Sequence, residues 1–270
     1  MMNLLRSEFY KFVRNKTFWV ITITIVSLTF VLVLLQYLNY KGVFEQVENI
    51  TIEINEQVTE SSPLSGMKMF LEAIHSPDLF LTILLISFLG SFFIANESSD
   101  GTIKNLVSVG QHRSKVYMAK YVVFSIGSII ITLLISFMIG IFGTIFFGIG
   151  DLPANELIVD TIKVAFLTCI YIGSFAAIVM FFSMIFRGTG VAILLSLGFY
   201  LIAGAGLRVL SFSYNFGKAL NKYSVYYRYS IFFENALNTS NMVELVAIPI
   251  ITAMIFIIIG LAVFQRKDIS

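Results

Sequence analysis

The sequence is poor in charge, in cysteine and in histidine. Of its 270 residues only 13% are Asp, Glu, Lys or Arg, against roughly 25% in soluble domains, whereas 57% are hydrophobic. A chain with so few charges could not cover a globule with polar surface. The single cysteine, Cys169, rules out a disulfide framework, and His75 and His112 lie far apart beside no second ligand. This composition argues against a soluble protein and against zinc chemistry.

Two further absences bear on function. The sequence has no Gly-x4-Gly-Lys-Ser/Thr motif, so it lacks the loop that cradles nucleotide phosphates on backbone amides. No Asp, Glu, Lys, Arg or His lies deep within the long apolar runs, where ion-coupled carriers and intramembrane proteases need such groups. We therefore expect a chain that is not an enzyme, binds no cofactor itself and has no nucleic-acid partner.

Charge is missing most completely from six runs, and each is about as long as a membrane-crossing helix. Because a backbone in lipid must satisfy its own hydrogen bonds, these runs predict helices. The expected fold is an all-α integral membrane protein, with one transmembrane domain over residues 1–270. The spans are expected at about 17–40, 79–96, 119–149, 162–186, 189–207 and 243–265, with an outside loop at 41–78.

The distribution of cations predicts the orientation. With six spans, the side that holds both termini carries eleven cations and four acids, and the opposite side carries seven cations and twelve acids. The positive-inside bias therefore places both termini in the cytoplasm. Residues 208–242 are cationic and rich in aromatic residues, although this arrangement puts them outside. Either they form re-entrant or interfacial helices whose cations meet lipid phosphate, or one of the last two spans is misassigned.

The N-terminal residues predict an amphipathic helix in the cytoplasmic interface. Residues 3–16 place apolar side chains on one helical face and basic ones elsewhere, which is typical of helices that lie in the headgroup region. Its interfacial residues are expected to include Leu5, Phe9, Phe12 and Arg14. The simpler interpretation is a positive flank that only fixes topology.

The segment 97–120, between spans two and three, predicts a short capped helix. Asp100 is a good N-cap residue, and Gly110 can take the positive φ of a helix C-terminus. Three apolar residues between them follow the spacing i, i+3, i+4: Ile103, Leu106 and Val107. A helix of two or three turns is marginal alone in water, so it must pack against the bundle or against a partner protein. The residue pattern does not choose between these two.

This organisation resembles the membrane subunit of a type-2 ABC transporter. The family pattern is Glu-x-x-x-Gly-Thr, an apolar turn, a break, a basic residue and then a Lys that opens span three. The matching residues are Glu97, Gly101, Thr102, Leu106, Val107, Gly110, Arg113 and Lys120. The resemblance implies that this segment is the coupling helix, which docks into a cleft of a separate ATPase. Ile103, Leu106 and Val107 would then face that cleft, with Lys104 and Arg113 at its rim.

The resemblance also implies partners and a location. It implies two ABC ATPase subunits that carry ATP and Mg²⁺, and a second permease subunit, in a homodimer or heterodimer, in a bacterial cell membrane. Spans without charge suit an amphipathic or hydrophobic substrate, such as an antimicrobial peptide or a drug, exported from the cell. Two alternatives remain open: a lipid or glycolipid exporter subunit, and a membrane scaffold or sensor subunit that transports nothing.

Overall fold

The computed structural model describes residues 2–41, 65–75, 78–95, 97, 112–150, 155–186, 188–229 and 242–266. Within these ranges the chain is helical and contains no strand. The helices are α1 (Met2–Arg14), α2 (Lys16–Tyr40), α3 (Gly66–His75), α4 (Leu79–Gly90), α5 (Arg113–Phe147), α6 (Asn155–Ile185), α7 (Thr189–Ser213), α8 (Asn215–Lys222) and α9 (Met242–Arg266). A π-helical turn, Ser91–Ala95, follows α4, and another, Leu201–Gly206, lies within α7.

The predicted all-α membrane fold is confirmed. Five helices of the described chain are long and apolar enough to cross a bilayer: α2, α5, α6, α7 and α9. A sixth crossing exists if α3 and α4 with its π turn, which meet at an angle of 69°, form one broken span. The chain is therefore a multi-pass membrane protein, and its spans match the six charge-free runs of the sequence.

Two element boundaries differ from the sequence expectation. The predicted outside loop 41–78 contains α3, whose Met69 and Ile74 are buried. The helix that contains the third span begins at Arg113, before the predicted start of that span near 119, because a helix can continue past the hydrocarbon edge once its charged residues find partners. Residues 42–64 of the predicted loop lie outside the described residues.

Helix α3 crosses the C-terminal half of α5 along a stripe of small residues. The Ser136 hydroxyl donates to the backbone carbonyl of Ala73 at 3.1 Å, and Phe70 fills the space where Gly140 has no side chain. A Cβ on Gly66 would collide with Thr144. Small residues thus let the two helices approach closely at a crossing contact, as the spacing of Ser, Thr and Gly in this span indicates.

The core lies around α6 and includes part of the aromatic segment that we expected at headgroup level. Phe175 of α6 stacks on Tyr226 with ring centroids 5.4 Å apart, and the ring centroids of Tyr171 and Tyr229 are also 5.4 Å apart. Tyr226 and Tyr229 are buried, and so is Arg228, which forms an ion pair with Glu244 of α9. The partners of these three residues are therefore a carboxylate of the chain and the core of the bundle, and their level in the membrane stays a prediction.

The preceding part of the same segment is exposed, as expected. Phe212, Tyr214, Phe216 and Tyr223 all project from the described bundle. Helix α8 contacts the end of α7, carries the exposed Phe216 and precedes the buried half. The segment 208–229 therefore divides into an exposed aromatic part and a part packed into the core, and residues 230–241 lie outside the described residues.

Candidate functional site at the base of the bundle

Four elements meet at one end of the bundle, which we call the base. They are α1, the π turn that follows α4 together with Glu97, the first turns of α5, and the last turn of α9. Glu97 and His112 border the segment 98–111, which lies outside the described residues. The base therefore holds both ends of the segment in which the sequence predicts a coupling helix.

Four charged residues form a cluster at the base, here called the basal charge cluster: Glu8, Lys11, Glu97 and Lys120. The Lys120 amine donates to Glu8 Oε2 at 2.7 Å and also to Glu97 Oε2. Lys11 Nζ lies 2.8 Å from Glu8 Oε1 and 3.9 Å from Glu97 Oε1. Two carboxylates and two ammonium groups thus balance to zero net charge.

Burial makes this cluster different from a surface ion pair. The side chains of Glu8 and Lys120 are both 0% exposed, whereas Glu97 and Lys11 are 18% and 34% exposed. An exposed pair contributes little to stability, but a buried charge that loses its partner destabilises the fold strongly. Glu8 and Lys120 therefore depend on each other.

The local sequence explains why these two groups face inward. On α1, Glu8 lies four residues from Leu4 and four from Phe12, and all three are buried on the side that faces the bundle. On α5, Lys120 follows the buried Val116 by four residues and precedes Phe124 by four. Each charge thus lies in the middle of an apolar stripe, where only an opposite charge can satisfy it.

The π turn after α4 completes the surroundings of Lys120. The Lys120 amine lies 5.3 Å from the ring centroid of Phe93, a distance suited to a cation–π contact. The Phe93 ring also packs edge-on against Phe12 of α1, with centroids 4.9 Å apart. A π turn is often found at functional sites, and this one places an aromatic ring beneath the buried ammonium.

The ionisation of Glu8 reflects two opposing effects. Burial alone would raise the pKa of the Glu8 carboxyl, but the charge of Lys120 and hydrogen bonds from Lys11 and Lys120 hold this pKa below its ordinary value. The carboxylate is therefore the stable form of Glu8 at neutral pH.

A second connection joins α5 to the end of α9. The Arg113 guanidinium donates to the backbone carbonyl of Gln265 at 2.8 Å, and the Gln265 amide donates to the Ser114 hydroxyl at 3.2 Å. A cation at the last carbonyls of a helix also opposes the negative end of its dipole. One turn further on, Tyr117 packs between Phe264 and Gly260.

The structure places the predicted site residues unevenly. Glu97 and Lys120 are brought together in the basal charge cluster, whereas Arg113 lies apart from it and binds the end of α9. The other predicted coupling residues lie outside the described residues: Gly101, Thr102, Ile103, Lys104, Leu106, Val107 and Gly110. Their docking role therefore stays a prediction.

The interfacial residues of α1 divide between two surfaces. Phe12 is buried against the bundle and Leu5 is half-buried, whereas Phe9 and Arg14 are exposed. The Arg14 guanidinium lies 5.3 Å over the ring of Tyr10. One part of the apolar arc of α1 thus packs on the protein, and the part around Phe9 is free to enter a lipid surface.

The sequence interpretation missed the roles of Glu8 and Lys11. The available signal was an acid in line with Leu4 and Phe12 on the apolar face of a basic helix. A carboxylate at such a position needs a cation from another element, but the 112 residues that separate Glu8 from Lys120 hide the choice of partner.

The base connects the two ends of the segment 98–111. Glu97, which comes directly before this segment, is bound to Lys120, and Lys120 lies on the helix that begins shortly after it. No group of three His, Cys, Asp or Glu within the described ranges is placed to hold a metal ion.

Comparison with known proteins gives one family match. A family model described as "ABC-2 family transporter protein" matches residues 2–269, which is nearly the whole chain. No curated protein matches the chain.

Proposed function

Starting from the fact that the chain belongs to the ABC-2 transporter family and is a transport permease subunit, we propose that it moves amphipathic or hydrophobic substrates out of the cell. In this proposal a separate ABC ATPase subunit, in two copies, binds ATP and Mg²⁺ and supplies the energy. A second permease subunit, the same or different, completes the pathway. Antimicrobial peptides and drugs are the substrates we expect first.

The single observation that carries the proposal is the bridge that Lys120 forms between Glu8 and Glu97. Glu97 lies at the near end of the predicted coupling segment, and Lys120 lies two turns into the helix that follows it. A rigid ionic link at this point favours transmission of movement from the segment into the spans. A lone membrane anchor would not need it.

The proposed mechanism follows from these connections. ATP binding closes the ATPase pair and pushes the apolar stripe of Ile103, Leu106 and Val107. The push reaches Glu97 and Lys120 and, through Glu8, rotates or shifts α1 with the spans. The Arg113 contact with the end of α9 carries the same movement to the last span. Hydrolysis then resets the ATPase pair.

Substrate class is supported by the character of the spans. The long apolar helices α2 and α9 contain no charge over residues 17–40 and 245–265, so a path along them would suit an apolar or amphipathic molecule. Lipid or glycolipid export is the second candidate, for the same reason. A subunit that serves only as a scaffold or a sensor is the alternative outside transport.

The test uses the complete complex with its ATPase subunit in proteoliposomes. Leu106→Asp places a charge on the apolar stripe, and the matched control Asn105→Asp places the same charge on the opposite side of the predicted helix. We expect Leu106→Asp to lose co-purification with the ATPase and ATP-dependent transport, and Asn105→Asp to retain both. If Leu106→Asp leaves association and transport unchanged, the coupling proposal is wrong.

A further inference from the structure

Two adjoining cavities lie between α2, α3, α4 and α5, away from the base. The larger has a volume of about 380 Å³, within the range of small-molecule sites, and its walls include Leu28, Leu85 and Ile135. The smaller has a volume of about 270 Å³. Both are lined by Leu32 and Ala73, so they form one elongated space along α2.

The four hydroxyl groups that line the larger cavity all donate hydrogen bonds to backbone carbonyls. Each of the four lining hydroxyls lies close to a backbone carbonyl, which can only accept: Thr29 to Val26 at 2.9 Å, Thr82 to Asp78 at 2.7 Å, Thr132 to Ser128 at 3.0 Å and Ser136 to Ala73 at 3.1 Å. What these hydroxyls offer to a ligand is therefore oxygen lone pairs.

The charged side chains among the described residues that line the two cavities are acidic. Asp78 lines the larger cavity, and its Oδ1 accepts the backbone N–H of Leu81 at 3.0 Å. Glu72 lines the smaller cavity and is 4.0 Å from Lys68 on the same helix. No Lys, Arg or His is among the described residues that line either cavity. The amide of Gln36 supplies the hydrogen-bond donors of the smaller cavity.

We propose that this space is a binding site for a cationic amphiphile, a molecule with an alkyl or other apolar body and an ammonium group that carries N–H donors. The apolar walls would hold the body. The Asp78 carboxylate and the hydroxyl oxygens of Thr132 and Ser136 would receive the ammonium, because they can accept its N–H groups and the carboxylate carries the opposite charge. A neutral or anionic amphiphile would leave the carboxylate without a counter-ion. The interpretation of this binding site as a substrate site rests on the proposed export function.

The location fits entry from the bilayer. Leu28 and Leu32 are about half exposed, at 47% and 48%, so the space opens between α2 and its neighbours toward the region that lipid would occupy. The break between α3 and α4, where Asp78 caps α4, places the carboxylate at the end of the apolar part. The ligand's body would thus lie along α2 and α5, with its head at the bend.

The experiment measures equilibrium binding to the full chain in nanodiscs, with empty nanodiscs subtracted. The probes are labelled dodecylammonium, dodecyltrimethylammonium and dodecanol, which share one chain and differ in charge and N–H donors. For the wild type we expect dodecylammonium to bind at least about tenfold more tightly than dodecanol, because hydrogen bonds to charged groups contribute that much or more. Dodecyltrimethylammonium should lie between them, since it has the charge without the donors.

Two variants separate the head site from the body site. Asp78→Asn keeps a good helix cap and removes the charge, so it should weaken dodecylammonium about tenfold and leave dodecanol unchanged. Leu32→Trp fills the shared wall and should weaken all three probes, whereas Leu35→Trp, equally exposed on the same helix but outside both linings, should weaken none.

The outcomes are distinct. Equal binding of dodecylammonium and dodecanol, or an Asp78→Asn variant that binds dodecylammonium like the wild type, would overturn the assignment and leave an acyl-chain pocket. No saturable binding above empty nanodiscs would also overturn it. Because the permease alone is measured, these results leave ATP-driven export untouched. Unchanged ATPase association and transport in the Leu106→Asp complex would conversely refute the coupling proposal without affecting the binding result.

Discussion

Removal of the Lys120 amine should destabilise the protein far more than removal of an exposed charge. Lys120→Met keeps the length and the apolar stem of the side chain but leaves Glu8, Glu97 and Lys11 with a net charge of −1. Glu8 remains 0% exposed, and within the described part of the chain it then keeps Lys11 as its partner, whose amine lies 2.8 Å away and whose side chain is 34% exposed. Breaking a buried ion pair in this way costs about 3–5 kcal/mol.

A double variant tests whether that cost comes from the lost charge pairing. Glu8→Met with Lys120→Met replaces the buried pair with apolar side chains and leaves the Lys11–Glu97 pair, so the charges balance again. Replacement of a buried pair by well-packed apolar residues is often neutral. We therefore expect the double variant to recover most of the stability that Lys120→Met loses.

The assay uses Trp19, the single tryptophan of the chain, as its probe. Its indole N–H donates to the backbone carbonyl of Val13 at 2.7 Å, across the junction of α1 and α2, so its emission reports on the position of α1. Unfolding in mixed micelles would be followed by this emission and by circular dichroism, and coincident transitions would justify a two-state free energy. If Lys120→Met matches the wild type, or if the two single losses simply add in the double variant, Glu8 and Lys120 do not depend on each other.

Three further predictions concern the same end of the molecule. The folded-state pKa of Glu8 lies below its unfolded value of about 4.3. Its contribution to stability is therefore present above that pH and is lost as the pH falls through the folded-state pKa. A Trp19 emission titration will show this loss. Gly260→Ala should cost about 1–3 kcal/mol in thermal unfolding, because a Cβ there collides with the buried Tyr117 hydroxyl; Tyr117→Phe should relieve part of this cost, and equal losses with and without it would contradict the reasoning. Arg113→Met removes a carbonyl cap at the end of α9 and should cost about 1 kcal/mol or less by the same measurement, and a loss as large as that of Lys120→Met would be inconsistent with its exposure.

The membrane fold could be predicted because it depends on local composition. A run without charge identifies a membrane-crossing helix regardless of which other helices it packs against. All six runs correspond to helices or to the bent pair of α3 and α4. The earlier start of α5, at Arg113, could not be predicted, because Lys120 looked like the flank of a span. Its buried position within α5 depends on Glu8 and Glu97, which come from other elements.

The aromatic segment after span five shows the same limit. Composition favoured the headgroup level for all of its tyrosines and cations, and the structure leaves Tyr214 and Tyr223 exposed. Tyr226 and Tyr229 pack into the core instead, and Arg228 finds Glu244. The local sequence does not distinguish the exposed residues from the buried ones, because the difference depends on which of them contact α6 and α9.

The link from Glu97 to Lys120 can be tested most directly by transport per ATP hydrolysed in the reconstituted complex. Glu97→Gln removes one carboxylate from the bridge but leaves the buried Glu8–Lys120 pair intact, and Glu97 is 18% exposed, so folding and ATPase association should persist. We predict that ATP hydrolysis continues while transport per ATP falls, because the near end of the segment is no longer held to α5. Transport per ATP equal to that of the wild type would contradict the proposed role of the basal charge cluster.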